Sequence, residues 1–209
     1  MNPRRLQIFA WSLSITVTVI AVIAWGQSNS WQLSGLSTYQ IFPLLGLLAF
    51  SIMWSHYVAA VLRLYYKYDK GLLSRYFEVT SLVVLASILL HPGLLGWQLW
   101  RDGLGLPPAN ELHYVAPDMR LYIIIAMISY VIFLAYEFRR KFGARTWWKY
   151  IAYASDTAMI LIFIHSLKLG SQLQMGWFRA VWYLYGLTLL GCLAYIYSQK
   201  AKLKKANQA

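Results

Sequence analysis

The chain has a single cysteine, Cys192, among 209 residues. One thiol cannot close a disulfide within the chain, and there is no Cys-x-x-Cys-His to attach a c-type haem. Cys192 lies in the last apolar run, where it reads as a small packing residue. Charge is scarce too: 12% of residues are charged and only 7 are acidic, against roughly 25% charged in a soluble domain. The sequence also lacks a Gly-x-Gly-x-x-Gly loop, a Walker motif and any long polar insert. It therefore carries no nucleotide-binding domain of its own.

What remains is apolar, at 59% hydrophobic residues. So little polar surface cannot cover a chain in water, which makes lipid the expected solvent. Apolar runs fall near 8–25, 42–62, 77–96, 121–138, 149–168 and 178–198. Each is close to the ~20 helical residues that cross about 30 Å of hydrocarbon. The expected fold is an all-α bundle of six transmembrane helices over 1–199, followed by a basic tail over 200–209. The exit of the first run, Ala24-Trp25-Gly26-Gln27, has no Ala-x-Ala cleavage pattern, so that run is expected to stay as a helix.

The net charge of +12 is explained by position. Of the 19 Lys and Arg residues, 15 fall in the terminal segments and even-numbered connections, on one side of the bilayer. Only Arg101, Arg120, Lys168 and Arg179 fall on the other. Cytoplasmic loops are rich in Lys and Arg, so both termini are expected to be cytoplasmic in a plasma (inner) membrane. The basic excess is topological and does not imply a nucleic-acid partner. The longest outside segment, 97–120, contains Gly103, Gly105, Pro107, Pro108 and Pro117 and is expected to form turns or a short lid rather than a helix. Trp25, Trp31, Trp97, Trp100, Trp147, Trp148 and Trp177 stand near span ends, as an interfacial aromatic belt would.

Titratable groups inside a membrane are costly, so each is a functional candidate. His91 and His165 lie near the outer ends of spans three and five, which run in the same direction. Both sit roughly 6–8 Å below the outer boundary at 1.5 Å per residue. Two imidazoles at one depth can clamp a metal-centred planar ligand such as haem b; two are too few for a closed zinc site. The other reading is a pair of buried histidines satisfied by backbone carbonyls. His56, in the inner half of span two, either bonds a quinone or flavin edge or bonds a neighbouring helix. Asp156, mid-span, is either a proton relay or a structural partner for Ser or Tyr hydroxyls. Lys168, one turn beyond His165, either pairs with a haem propionate or snorkels. His113, in the outer loop, reads as solvent-exposed.

Three segments carry a family resemblance over roughly residues 40–170. Leu82-Val-Val-Leu-Ala-Ser-Ile-Leu-Leu-His91-Pro92 resembles the third helix of the ferric reductase-like transmembrane superfamily, which includes NADPH oxidases, bacterial MsrQ proteins and STEAP metalloreductases. Lys141-Phe-Gly-Ala-Arg-Thr-Trp-Trp148, followed by a span ending in His165, is similar to its fifth helix with the preceding basic loop. Pro43-Leu-Leu-Gly46, running on to Arg63, is similar to its second. The resemblance implies haem ligation by His91 and His165 and transmembrane electron transfer. The donor would be a separate flavin or NAD(P)H reductase, or a quinol, and the acceptor would be external. Members with a second, inner haem would carry ligands at the positions of Phe77 and of Ala152 or Ile151, none of which can bind iron. The resemblance thus implies one haem b per chain, with room for a flavin or quinone near small Ala152 on the cytoplasmic side. The inner basic loops either hold a phosphate there or only set topology. The rival expectation is a non-redox transporter or scaffold related to a haem protein.

Overall fold

The computed structural model describes residues 1–142, 148–206 and 208, with side chains for these apart from 139–142 and 148. The described residues form long helices joined by short turns and contain no strand. The long helices are α1 (Pro3–Ser28), α2 (Thr38–Tyr65), α3 (Ser74–Arg101), α4 (Arg120–Phe142), α5 (Trp148–Leu169) and α6 (Gly176–Ala206). All six are long and apolar enough to cross a membrane. In lipid the backbone must satisfy its own polar groups, which is why the spans are helical.

Local signals set several boundaries. Asn2 caps α1 by accepting the Arg5 amide at 2.8 Å, and Pro3 takes the first helical position, where its missing N–H costs nothing. Gln40 reaches back to the Ser37 amide at 2.9 Å and closes the start of α2. α3 is longer than the apolar run suggests. It begins at Ser74 and continues through Pro92 to Arg101, so 97–101 is helix rather than the start of a turn region. α6 likewise carries the basic tail as helix as far as Ala206. The spacing of charge marks where a chain leaves lipid, and a helix can extend past that point into water.

α2 is the hub, packed against α1, α3 and α6, while α4 packs along α5. The main core gathers aromatic rings where these helices meet. Trp182 and Phe178 are fully buried, Phe50 lies 4.7 Å from Trp182, and Trp54 stacks on Tyr185 at 4.4 Å. Trp25 belongs to this core, its indole N–H bonded to the Gln40 carbonyl at 2.6 Å, so it is not a lipid-facing anchor. Trp31, Trp97, Trp100 and Trp177 are exposed, as an interfacial belt requires; Trp147 and Trp148 lie outside the described side chains. A second cluster, around Leu6, Ala10, Ala59, Leu73 and Tyr76, closes the end that carries the termini. Polar atoms there are paired rather than absent: Ser14 Oγ, Ser55 Oγ and Tyr76 OH form a buried triangle at 2.7–2.8 Å joining α1, α2 and α3.

The α3–α4 connection folds back over the opposite end as the expected lid. Gly103 and Gly105 take φ of +82° and +91°, a region side chains disfavour. Asn110 Nδ2 donates to the Gly96 and Gly105 carbonyls at 2.9 and 3.1 Å. Tyr114 stacks on Tyr39 at 5.9 Å, and Tyr39 in turn hydrogen-bonds Asp102. Glu111 is wedged against Gly96, and burial raises its carboxyl to about 6. The folded lid therefore holds a proton that the unfolded chain, with an ordinary value of 4.5, has already released. Stability from this group is complete below pH 4.5 and falls as pH rises through about 6. Glu111→Gln should match the wild type at the acidic end. At pH 7 it should be more stable by at most about 1 kcal/mol, since the site is partly open to solvent. Thermal unfolding of both proteins at the two pH values checks this; a gap independent of pH would contradict it.

Candidate functional site

α2 with α3, and α4 with α5, form two antiparallel hairpins of the same sense, and each is latched by one histidine. His91, on α3, places Nδ1 2.8 Å from the Phe42 carbonyl near the start of α2. His165, on α5, places Nδ1 2.8 Å from the Tyr122 carbonyl near the start of α4. A carbonyl only accepts, so Nδ1 carries the proton in both rings and the lone pair of the neutral imidazole is left on Nε2. Neither Nε2 has a partner among the described residues, and neither is sealed by packing.

Local packing seats the rings. A Cβ on Gly46 would stand 2.8 Å from His91 Cε1 and 3.0 Å from its Nδ1, so only glycine lets the imidazole lie this close to α2. The Phe42 ring covers His91 from the lid side at 5.3 Å, and Tyr114 meets Phe42 edge-on at 5.8 Å. The two histidines, 74 positions apart in sequence, make the same contact at the same end of their hairpins. Yet α3 and α5 have no extended packing between them. The structure thus sets two Nε2 donors at the same end of two parallel helices. No group of three or more His, Cys, Asp or Glu side chains is assembled among the described residues.

The other sequence candidates lie elsewhere. Lys168 is exposed one turn beyond His165, its Nζ 5.8 Å from the Tyr122 ring. His113 is exposed at the end of the short helix Ala109–His113 in the lid. His56 is nearer the termini, its Nε2 2.7 Å from Thr80 Oγ1, with Tyr76 and Phe77 edge-on at 5.5 and 5.2 Å. Thr80 gives its own proton to the Tyr76 carbonyl at 2.6 Å, so Nε2 of His56 is the donor. Of the basic segment 141–148, residues 143–147 and all the side chains lie outside the described residues.

Asp156 has specific partners on two neighbouring helices. Tyr57 from α2 donates to Oδ1 at 2.7 Å and Tyr197 from α6 donates to Oδ2 at 2.6 Å. Tyr153 stacks on Tyr197, and Lys200 Nζ lies 4.8 Å from the Tyr197 ring. The carboxylate therefore ties α2, α5 and α6 together. The sequence suggested hydroxyl partners for Asp156 but not which ones, because Tyr57 and Tyr197 lie 99 and 41 positions away. Sequence reasoning also missed Ser51, Ser129 and Tyr185, whose buried hydroxyls have no hydrogen-bond partner among the described residues; nothing in their spacing distinguishes them from packing residues. Tyr57→Phe would leave a charged oxygen without its donor and should cost about 1.5–3 kcal/mol. Adding Asp156→Asn should recover part of that loss, because a neutral amide tolerates one missing donor. Unfolding midpoints of the single and double variants measure the coupling, and strictly additive losses would show that the pair does not interact.

No family model, curated protein or solved structure matches this chain.

Proposed function

We propose that this chain is a membrane haem b electron-transfer protein in which His91 and His165 hold one haem between α3 and α5. The single observation that carries the reading is the shared geometry of the two histidines. Each ring is fixed through Nδ1 to a helix carbonyl and offers a bare Nε2, at the same end of parallel helices that have no extended packing between them. Metal-bound histidines use this arrangement, because the carbonyl fixes the tautomer and makes the ligating nitrogen more basic. A two-nitrogen donor set suits a metal that brings its own equatorial ligands and is too small for bare zinc. The donors present therefore fit haem.

In this reading the haem, when bound, supplies one-electron chemistry, and the chain supplies position and environment. Phe42 and the lid ring Tyr114 shield the His91 side from water. Lys168 stands one turn from His165, where its ammonium can meet a propionate. Electrons come from a cytoplasmic flavin or NAD(P)H reductase, or from quinol, and leave to an external acceptor. The chain is then the membrane subunit of an oxidoreductase in the plasma membrane, with both termini cytoplasmic. A flavin or quinone edge near His56 would bridge the inner half of the membrane. At the level where a second haem would need ligands, Phe77 packs against His56 and Ala152 has no donor atom, which supports one haem per chain. The rival reading, a non-redox transporter or scaffold, would draw on His56 and Asp156 instead.

Three results are expected. Purified protein carries haem at a ratio near one by a pyridine assay; a ratio near two would mean that an inner ligand has been overlooked. His91→Ala and His165→Ala each abolish the bis-imidazole spectrum, whereas His113→Ala keeps it, and an unchanged spectrum in both ligand variants would sink the assignment. Gly46→Ala, which pushes on His91 without removing a ligand, weakens haem binding on the order of tenfold. A reporter fused after residue 209 tests orientation separately, since activity outside the cytoplasm would invert the whole scheme.

A further inference from the structure

A cleft of about 610 Å³ opens between α1 and α3 at the end that carries the termini, away from both histidine latches. Arg4 and Arg75 stand at its mouth. Each is the second residue of its helix, so both guanidinium groups sit at the positive ends of two parallel helices. Both are exposed, and among the described residues no hydrogen bond or ion pair engages either side chain. Below the mouth the lining is mainly apolar, interrupted by Ser12. Ile8 and Ile15 form one wall, exposed at 56% and 60%, and Trp11 forms the floor, edge-on to Tyr76 at 5.4 Å. Gln7 Nε2 donates to the Leu72 carbonyl at 2.9 Å and ties the rim of α1 to the segment that leads into α3. Tyr76 is anchored from behind by the Ser14–Ser55 hydroxyls, so the floor is rigid.

From Arg4 to Ile15 the cleft descends eleven residues, about 16 Å at 1.5 Å per residue. That is half of the ~30 Å hydrocarbon thickness, the depth of a single leaflet. An unpaired double positive charge above an apolar trough one leaflet deep matches an amphiphile with an anionic head and an acyl tail. A soluble anion would leave the trough unfilled, and a lipid of zero net charge would leave the excess positive charge of the two arginines uncompensated.

We propose that this cleft is a binding site for one anionic phospholipid, whose phosphate lies between Arg4 and Arg75 and whose acyl chain runs along Ile8, Trp11 and Ile15. The bound lipid would splint α1 to α3, two helices that touch only slightly by direct contact. The site is independent of haem and of the electron-transfer reading.

Native mass spectrometry of the detergent-purified full chain, titrated with phosphatidylglycerol or phosphatidylcholine, tests the proposal. Phosphatidylglycerol should bind one per chain and outcompete phosphatidylcholine. Arg4→Gln/Arg75→Gln should weaken it roughly thirtyfold, from the worth of two basic residues against an anionic surface. Lys204→Gln/Lys205→Gln removes the same charge from the same end and should leave binding unchanged. Ile15→Trp fills the deep part and should weaken the lipid while leaving both arginines, so the test survives if the arginine pair proves necessary for folding. Equal losses in the two double variants would reduce the effect to bulk charge and overturn the site. Displacement of the lipid by inorganic phosphate, or full binding in Ile15→Trp, would overturn the claim that the trough holds an acyl chain.

Discussion

An imidazole buried among apolar helices has two nitrogens to satisfy, and the surrounding hydrocarbon satisfies neither. In this protein each of two histidines spends Nδ1 on the carbonyl of the preceding helix and leaves Nε2 bare. That one contact fixes tautomer, ring orientation and hairpin register together. Because it recurs in α2–α3 and in α4–α5, the two bare nitrogens arrive at the same end of the bundle. The glycine at position 46 and the ring of Phe42 exist in service of this contact: one removes the atom that would collide with His91, the other covers it. The Nδ1–carbonyl bonds are those a purely structural histidine pair would make; the bare Nε2 atoms are what the haem reading uses.

The rest of the bundle keeps these two hairpins in place by polar ties, because lipid tails give helices little hydrophobic reason to associate. Near the termini the Ser14–Ser55–Tyr76 triangle joins α1, α2 and α3, and His56 with Thr80 joins α2 to α3 again. Asp156 joins α5 to α2 and α6 through two tyrosines. Asp156 links α5 to the hub helix, so α5 is held to the rest of the bundle from its middle, away from its histidine.

Much of this was legible in the sequence, and for identifiable reasons. Apolar runs near 20 residues are the length of a spanning helix, so the number and order of the six helices follow from composition. His91 and His165 stood out because ionisable residues are rare in such runs. Gly46 was visible as part of a motif, but its purpose was not; a close approach between two helices leaves no local trace beyond the glycine itself. Helix ends were less legible: α3 extends to Arg101 because a helix need not stop where its apolar run does. Trp25 was misplaced at the interface because a tryptophan near a span end looks the same whether its indole meets headgroups or, as here, the Gln40 carbonyl. The partners of Asp156 were out of reach, since they depend on which faces α2, α5 and α6 turn to one another, which no single helix encodes.

The central claim is that His91 and His165 would together hold one haem through their bare Nε2 atoms. Electron paramagnetic resonance of the oxidised protein, purified from cells supplied with haem precursor, tests it most directly. The account predicts a low-spin ferric signal of the bis-imidazole type that disappears when either His91 or His165 is replaced by alanine. Colourless protein without a ferric haem signal, or a high-spin signal unaffected by both substitutions, would contradict it.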